Sequence, residues 1–432
     1  MTTTAARDPS TLAEASEDAS ADMRSAQAVV TGIAVIAPNG VGVEAYWEAT
    51  LAGRSGIGLI RRFDASGYPV RLAGEVDGFA ETEHVPGRLI PQTDRMTHFA
   101  LAAAQWAFDD SGVNPADLAD YEGSVITANS SGGFEYGQRE LENLWRTTPW
   151  RVGAYQSIAW FYAANTGQLS IRHKLRGACG VIAAEQAGGL DAIAHARRAI
   201  RQGGSLVVTG GTDASLCPWG FITQIPTGRL TRGTDPARGY LPFDAGASGY
   251  VPGEGGAIMI LESAEFARAR GARSYGVIAG HAATFDPPPG SSRPGGLRRA
   301  VELALADAGV GPEDIDVVFA DAAGVPELDE DEASVLTEVF GPRGVPVTAP
   351  KTMTGRLYAG GAPLDVVTAL LAIRDGVIPP TVAVTEPRFA GTLDLVVDVP
   401  RESPLRRALV LARGYGGFNA AMVVAAEGAG RA

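Results

Sequence analysis

RGACGVIAAEQAGGLDAIAHARRAIRQGG, residues 176–204, is the stretch whose reading decides the fold. From about residue 186 to 202 it carries Leu190, Ile193, Ala196 and Ile200 at helical spacing on one face, with Arg197, Arg198 and Arg201 turned to another. Gly203 and Gly204 stop that helix. Gln186 stands where a strand passes into the helix, and the Ala-Gly-Gly behind it lets the backbone turn closely around it. A side chain so placed points into the space at a helix N-terminus, where unpaired N–H groups and the macrodipole favour a developing negative charge. A cysteine there would have a depressed pKa and accept an acyl group readily. Glutamine can donate and accept hydrogen bonds but cannot form a thioester.

Working outward, short apolar, β-branched runs alternate with helical patterns. Strands are expected at 29–36, 124–128, 205–210, 256–262, 275–282, 316–320, 393–397, 408–412 and 420–426. Several are apolar on both faces, as strands covered by helices on each side must be. Further helices are expected at 44–52, 97–111, 297–308, 330–340 and 364–374, with Gly53, Gly112, Gly309, Gly341 and Gly376 as their stops. This alternation argues for an α/β class. The chain also reads as doubled. A strand opens each half, and each half closes on an apolar run behind glycines, GEGGAIMILE (253–262) and then GYGGFNAAMVV (414–424). The halves so defined are 27–264 and 265–432, behind a leader, 1–26, whose composition predicts disorder and neither a signal peptide nor an anchor.

Bulk composition excludes several functions. Of 432 residues, 45% are hydrophobic and 20% charged, enough apolar material for a large core. Lys and Arg number 36 against 49 Asp and Glu, a net charge of −13 that repels phosphate backbones, so no nucleic-acid partner is expected. No run approaches the ~18 apolar residues of a membrane span. Two cysteines, Cys179 and Cys217, make no disulfide framework, which points to the cytoplasm and to small core fillers. Neither a phosphate-binding G-x-x-x-x-G-K-[ST] loop nor a G-x-S-x-G elbow occurs, and the five histidines lack metal-ligand spacing. His195, among helix arginines, reads as a surface residue, and no metal is expected.

Six ordered motifs carry a resemblance over nearly the whole chain: VVTGIAVIAPNGVG (29–42), AEQAGGLDAI (184–193), YLPFDAGASGYVPGEGGAIMILE (240–262), FADAAGVPELDEDEA (319–333), PKTMTGRLYAGGAPLD (350–365) and GYGGFNAA (414–421). In these the chain resembles the β-ketoacyl synthases of the thiolase fold. AEQAGGLDA and CPWGFITQIPTGRLTR (217–232) make it most similar to the chain-length factor, or ketosynthase-beta, of type II aromatic polyketide synthases. The resemblance implies a layered α-β-α-β-α fold with internally duplicated halves.

It also implies where the condensing groups would stand. The cysteine position is Gln186, and the two histidine positions are Asp321 and Arg356. An amide, a carboxylate and a guanidinium cannot replace thiolate and imidazole, since neither charged group cycles its proton near neutral pH. Lys351 matches the family's lysine, Phe418 its gating-loop phenylalanine, and Asp329 with Glu332 its acid pair, all expected to hold architecture. A lone buried charge costs several kcal/mol, so Asp321 and Arg356 are expected to pair. The acidic run 327–332 reads most simply as a helix first turn complementing the dipole.

The implied role is a non-condensing subunit in an obligate heterodimer with a ketosynthase-alpha subunit. The interface would be on the order of 2,000 Å² or more. An acyl carrier protein would present the phosphopantetheine arm, and the chain would need no cofactor of its own. With net charge −13, carrier docking would use a local arginine patch or fall on the other subunit. Phe134, Gly137 and Leu141 share a helix face, and the resemblance implies that they line the polyketide tunnel at the subunit interface, where glycine leaves room for a long chain. The plainer reading of Gly137 is close helix packing. Two rival functions remain: a malonyl-carrier decarboxylase in which the Gln186 amide steadies an enolate, and a homodimeric binding protein that only keeps the shape.

Overall fold

The computed structural model describes residues 27–146, 152–288 and 290–429; the leader at 1–26 lies outside them. Besides the two-residue Gly40–Val41, which folds back on β1, the strands of the main sheet are β1 (Ala28–Ala37), β2 (Gly123–Ala128), β3 (Cys179–Ile182), β4 (Leu206–Asp213), β5 (Gly255–Ser263), β6 (Gly276–Phe285), β7 (Val317–Phe319), β8 (Pro346–Thr348), β9 (Asp394–Leu395), β10 (Arg407–Gly414) and β11 (Phe418–Ala425). The main helices are α1 (Val43–Leu51), α2 (Arg95–Ser111), α3 (Phe134–Arg146), α4 (Ala164–His173), α5 (Gly188–Arg201), α6 (Pro218–Gln224), α7 (Leu297–Ala308), α8 (Pro326–Phe340) and α9 (Gly361–Asp375).

The strands follow one path, β9-β8-β7-β10-β11-β6-β1-β5-β4-β2-β3. Its two sides repeat each other. In the first half β1 pairs β5 and β5 pairs β4 antiparallel, while β4–β2 and β2–β3 are parallel. In the second half β6–β11 and β11–β10 are antiparallel, while β10–β7 and β7–β8 are parallel. Counted from its own first strand, the first half has the order 1-5-4-2-3, and the second repeats it once β9, an extra parallel strand beyond β8, is set aside. This is the internal duplication in structural form. Within the sheet the two sides join where β1 meets β6, at Val29↔Val277 and Val30↔Gly276.

Burial explains the layering. All ten residues of β1 are buried, so both of its faces are covered. Leu190, Ile193 and Ile200 of α5 and Val366 and Leu370 of α9 share one core with Val207 and Met259 from one half-sheet and Val410 and Met422 from the other. Those two helices are therefore the middle layer. On one outer face α2 sets Phe99, Ala103 and Ala107 on Ile36, Val208 and Ile258. On the opposite face α7 and α8 set Ala300, Ala304 and Leu336 on Val318, Leu409 and Val423. The result is the α-β-α-β-α sandwich.

Some expectations need correction. Helix α8 begins at Pro326, four residues before the expected start, because proline at the first helical position lacks only an N–H that would be unpaired anyway. Cys179 is exposed on the edge strand β3, not a core filler, whereas Cys217 is buried. Arg197 is not among the solvated arginines of α5: it is buried and donates to Asp307 and to the Ala279 carbonyl. His195 is exposed.

The middle layer positions the site. A Cβ on Gly189 would lie 2.3 Å from Pro363 Cδ and 2.7 Å from the Ala359 carbonyl oxygen, so the bare backbone there lets α5 and α9 close on each other. Replacing Gly189 by Ala should lower the urea midpoint by the equivalent of about 1–3 kcal/mol. Gly167→Ala in α4, where nothing lies within 4 Å of the added carbon, should leave it unchanged or slightly raised.

Candidate functional site

Between the end of β3 and the start of α5 the chain turns sharply. Glu185 takes the left-handed conformation (φ 49°), which costs about 1 kcal/mol for a residue with a side chain, and Ala184 bridges to Gln186 across it. The turn sends Gln186 inward, leaving it 2% exposed. Its Oε1 has no hydrogen-bond partner among the described residues, and a Cβ on Gly361, the first residue of α9, would lie 3.3 Å from it. Gln186 is held by packing against that helix start.

Asp321 and Arg356 meet in a buried, two-pronged ion pair. Asp321 follows β7, and Arg356 lies in the segment leading to α9. Arg356 Nη2 donates to Asp321 Oδ1 at 3.0 Å and Nη1 to Oδ2 at 3.1 Å. The guanidinium also donates to the carbonyls of Asp321 and Arg413, and the Arg413 N–H donates to Asp321 Oδ1. Burial alone would raise the Asp321 pKa, but the charges of Arg356 and Lys351 hold it below the usual carboxylate range. Burial likewise opposes charge on Arg356, and the Asp321 carboxylate outweighs it. Neither group is free to move a proton.

The other family positions build the frame around that pair. Lys351 Nζ donates to the carbonyls of Ala320 and Asp321 and pairs with Asp365 of α9 at 2.8 Å. Asp329 accepts from the N–H groups of Phe243 and Gly324, and Glu332 from those of Asp321 and Ala322. Asp329 and Glu332 therefore do more than complement a dipole. Both are buried and pin the loop that carries Asp321. Burial, then the neighbouring Asp321 charge, pushes the Glu332 carboxyl upward.

Phe418 sits elsewhere than its gating assignment requires. It is the first residue of β11, and its ring packs edge-on against Phe285 with centroids 4.9 Å apart. The same loop places Tyr415 at the mouth instead. That mouth leads to a cavity of about 40 Å³ lined by Glu185, Tyr250, Asp321, Arg356, Arg413 and Tyr415 among others, room for about three waters. No histidine lines it, and no metal-ligating cluster occurs among the described residues.

The second region lies on α3. Phe134 stacks on Trp219 of α6, with centroids 4.9 Å apart and planes at 21°. A Cβ on Gly137 would come within 2.7 Å of Trp219 Cζ3 and 3.0 Å of Trp160 Cδ1. The space that glycine leaves is thus filled by two indoles. Leu141, one turn on, is exposed and with Tyr68, Trp145, Trp219 and Ile222 lines an open apolar groove of about 400 Å³. Trp160 and Trp219 are the site residues that sequence reading missed. Around them Trp145 (78% exposed), Ile158, Phe161, Tyr162 and Ile171 stand in solvent.

The ion pair makes a direct prediction. Arg356→Ala leaves a buried carboxylate unpaired and should cost about 3–5 kcal/mol in denaturant unfolding, whereas Asp321→Leu with Arg356→Met should cost far less or nothing. Because the Asp321 pKa is depressed, its contribution is present above about pH 4 and disappears as the pH falls through its folded value. The doubly substituted chain should therefore lose less stability than the parent on acidification.

Known proteins resemble this arrangement closely. Residues 26–267 match the β-ketoacyl synthase N-terminal domain and residues 275–385 the C-terminal domain. The chain is 61% identical over 405 residues to the tetracenomycin polyketide synthase ketoacyl synthase beta subunit of Streptomyces glaucescens, covering 93% of this chain and 99% of that one. It is 58% identical over 398 residues to the actinorhodin polyketide putative beta-ketoacyl synthase 2 of Streptomyces coelicolor, covering 92% and 98%. Among solved structures, the ishigamide ketosynthase/chain length factor superposes with a TM-score of 0.85 at 29% identity, covering 93% of this chain and 99% of that one. The chain belongs to the β-ketoacyl synthase family and, within it, to the ketosynthase-beta subunits, or chain-length factors, of type II polyketide synthases.

Proposed function

We propose that this chain is the non-condensing half of a ketosynthase heterodimer and contributes the wall of the tunnel in which an aromatic polyketide grows. A ketosynthase-alpha subunit supplies the cysteine. An acyl carrier protein brings malonyl units on its phosphopantetheine arm, and this chain needs no cofactor of its own. One observation carries the reading: the pocket that would do chemistry is closed on an ion pair, while an apolar groove stands open at α3 and α6. An apolar, water-excluding wall suits a chain that must extend without side reactions, and its bulk limits how far extension proceeds.

The surface supports a large partner. Strand β3 ends the sheet path, and such an edge must be covered or it pairs without control. Trp145 and Ile222 on the groove, and Phe161 packed on Tyr162, leave large apolar side chains exposed, of the kind that partners cover.

Within the groove the wall is set by Trp219 and Leu141, with Phe134 and Trp160 as supports. Gly137 acts by letting the two indoles approach. The unpartnered Oε1 of Gln186 is the one feature that favours malonyl-carrier decarboxylation. Its near-complete burial and the cramped mouth weigh against it, because a thioester has to reach the amide before an enolate can be stabilised.

Expressed with its ketosynthase-alpha, the chain should co-purify as a one-to-one pair. A stable monomer or homodimer that releases CO₂ from malonyl-carrier protein would favour the decarboxylase instead. In the reconstituted synthase, Trp219→Ala should lengthen the main product by at least one ketide unit. Gly137→Leu should collide with Trp219 and Trp160 and shorten the product or lower its yield. Product masses unchanged in both variants would remove α3 and α6 from the tunnel.

A further inference from the structure

We propose that Glu185 and Tyr415 form a latch that closes the old acyl pocket to carrier-borne thiol arms, so that placing a cysteine at position 186 would not by itself restore access. The proposal rests on reading the chain as the non-condensing half, and it adds a specific closing contact to the missing chemistry.

Three observations carry it. First, the left-handed turn at Glu185 aims its carboxylate at the 414–417 loop, where Oε2 accepts the Tyr415 N–H at 2.8 Å. The loop lies directly on the turn: a Cβ on Gly414 would be 2.9 Å from the Ala184 carbonyl oxygen and 3.2 Å from Glu185 Oε2. Second, Tyr415 lies across the mouth with the Arg229 guanidinium 4.9 Å from its ring centroid, bracing the lid from the far side. Gly416 and Gly417, both at positive φ (93° and 106°), let the chain fold back at this point. Third, behind the lid Arg356 lies over the Tyr250 ring and holds Asp321, which leaves only about 40 Å³. A pantetheine arm has nowhere to enter.

The latch differs from loss of the nucleophile because it is reversible by substitution. In the full-length chain in its co-purified assembly, Gln186→Cys installs a thiol behind the lid. Its alkylation by a pantetheine-mimicking haloacetamide is followed by peptide mass spectrometry and normalised to the same peptide in unfolded chain. The thiol should be strongly protected, and adding Glu185→Ala or Tyr415→Ala should speed alkylation about tenfold or more by opening the mouth. Removing the Glu185 charge also raises thiolate content, so Glu185→Gln is the control. Its amide oxygen can still accept the Tyr415 N–H, and the thiol should stay as slow as in Gln186→Cys alone.

Equal rates for the Ala and Gln variants would overturn the latch in favour of electrostatics. So would alkylation of Gln186→Cys at the unfolded rate, or no acceleration in either opened variant. Failure of the subunit reading shows separately, as loss of the co-purified pair, and leaves these rates interpretable.

Discussion

The buried contact between Asp321 and Arg356 is the constraint on which the rest of this structure depends. Each group alone would be expensive at that depth, and each is affordable only because the other is within hydrogen-bonding distance on two prongs. The pair then dictates its surroundings. Arg356 ties the segment before α9 to the loop after β7 and to the end of β10 through the Arg413 carbonyl. Glu332 and Asp329 fix that loop from the α8 side, and Lys351 with Asp365 fixes it from the α9 side. A pocket framed in this way has a definite shape and no mobile proton.

Shape and chemistry are thus separated in space. The turn that would present a nucleophile survives, with its strained Glu185 and its two glycines, but it presents an amide pressed against Gly361. The apolar surface lies elsewhere, on α3, α6 and the exposed residues that follow. There the aromatic stacking of Phe134 on Trp219, with the Trp219 N–H donating to Gln138 Oε1 at 2.9 Å, gives a rigid wall between α3 and α6. Rigidity of that kind suits a length gauge, since a wall that yields by a side-chain rotation measures nothing.

Much of this was legible in the sequence. Long strands buried on both faces, such as β1 and β5, announce themselves as apolar runs, and the glycines behind α2, α7 and α9 mark their ends. The three substituted positions could be read one by one from Gln186, Asp321 and Arg356. What escaped depends on contacts distant in sequence or on short elements. Strands β3 and β8 have four and three residues and carry too little pattern to be seen. Arg197 follows two alanine-spaced apolar positions on α5, and nothing in its own segment reveals that Asp307 waits 110 residues away. Gly137 looked like open space because its neighbours in space, Trp160 and Trp219, are far along the chain. Phe418 and Tyr415 lie three residues apart, and only the start of β11 at Phe418 shows that Tyr415, in the loop before it, faces the mouth.

The central claim is that this chain gives a polyketide synthase its form and none of its covalent chemistry. The most direct measurement is intact-protein mass spectrometry of both subunits, quenched during turnover with malonyl-carrier protein. The account predicts acyl adducts on the ketosynthase-alpha cysteine and an unchanged mass for this chain. A covalent acyl adduct on this chain, formed and discharged at the rate of product release, would contradict it.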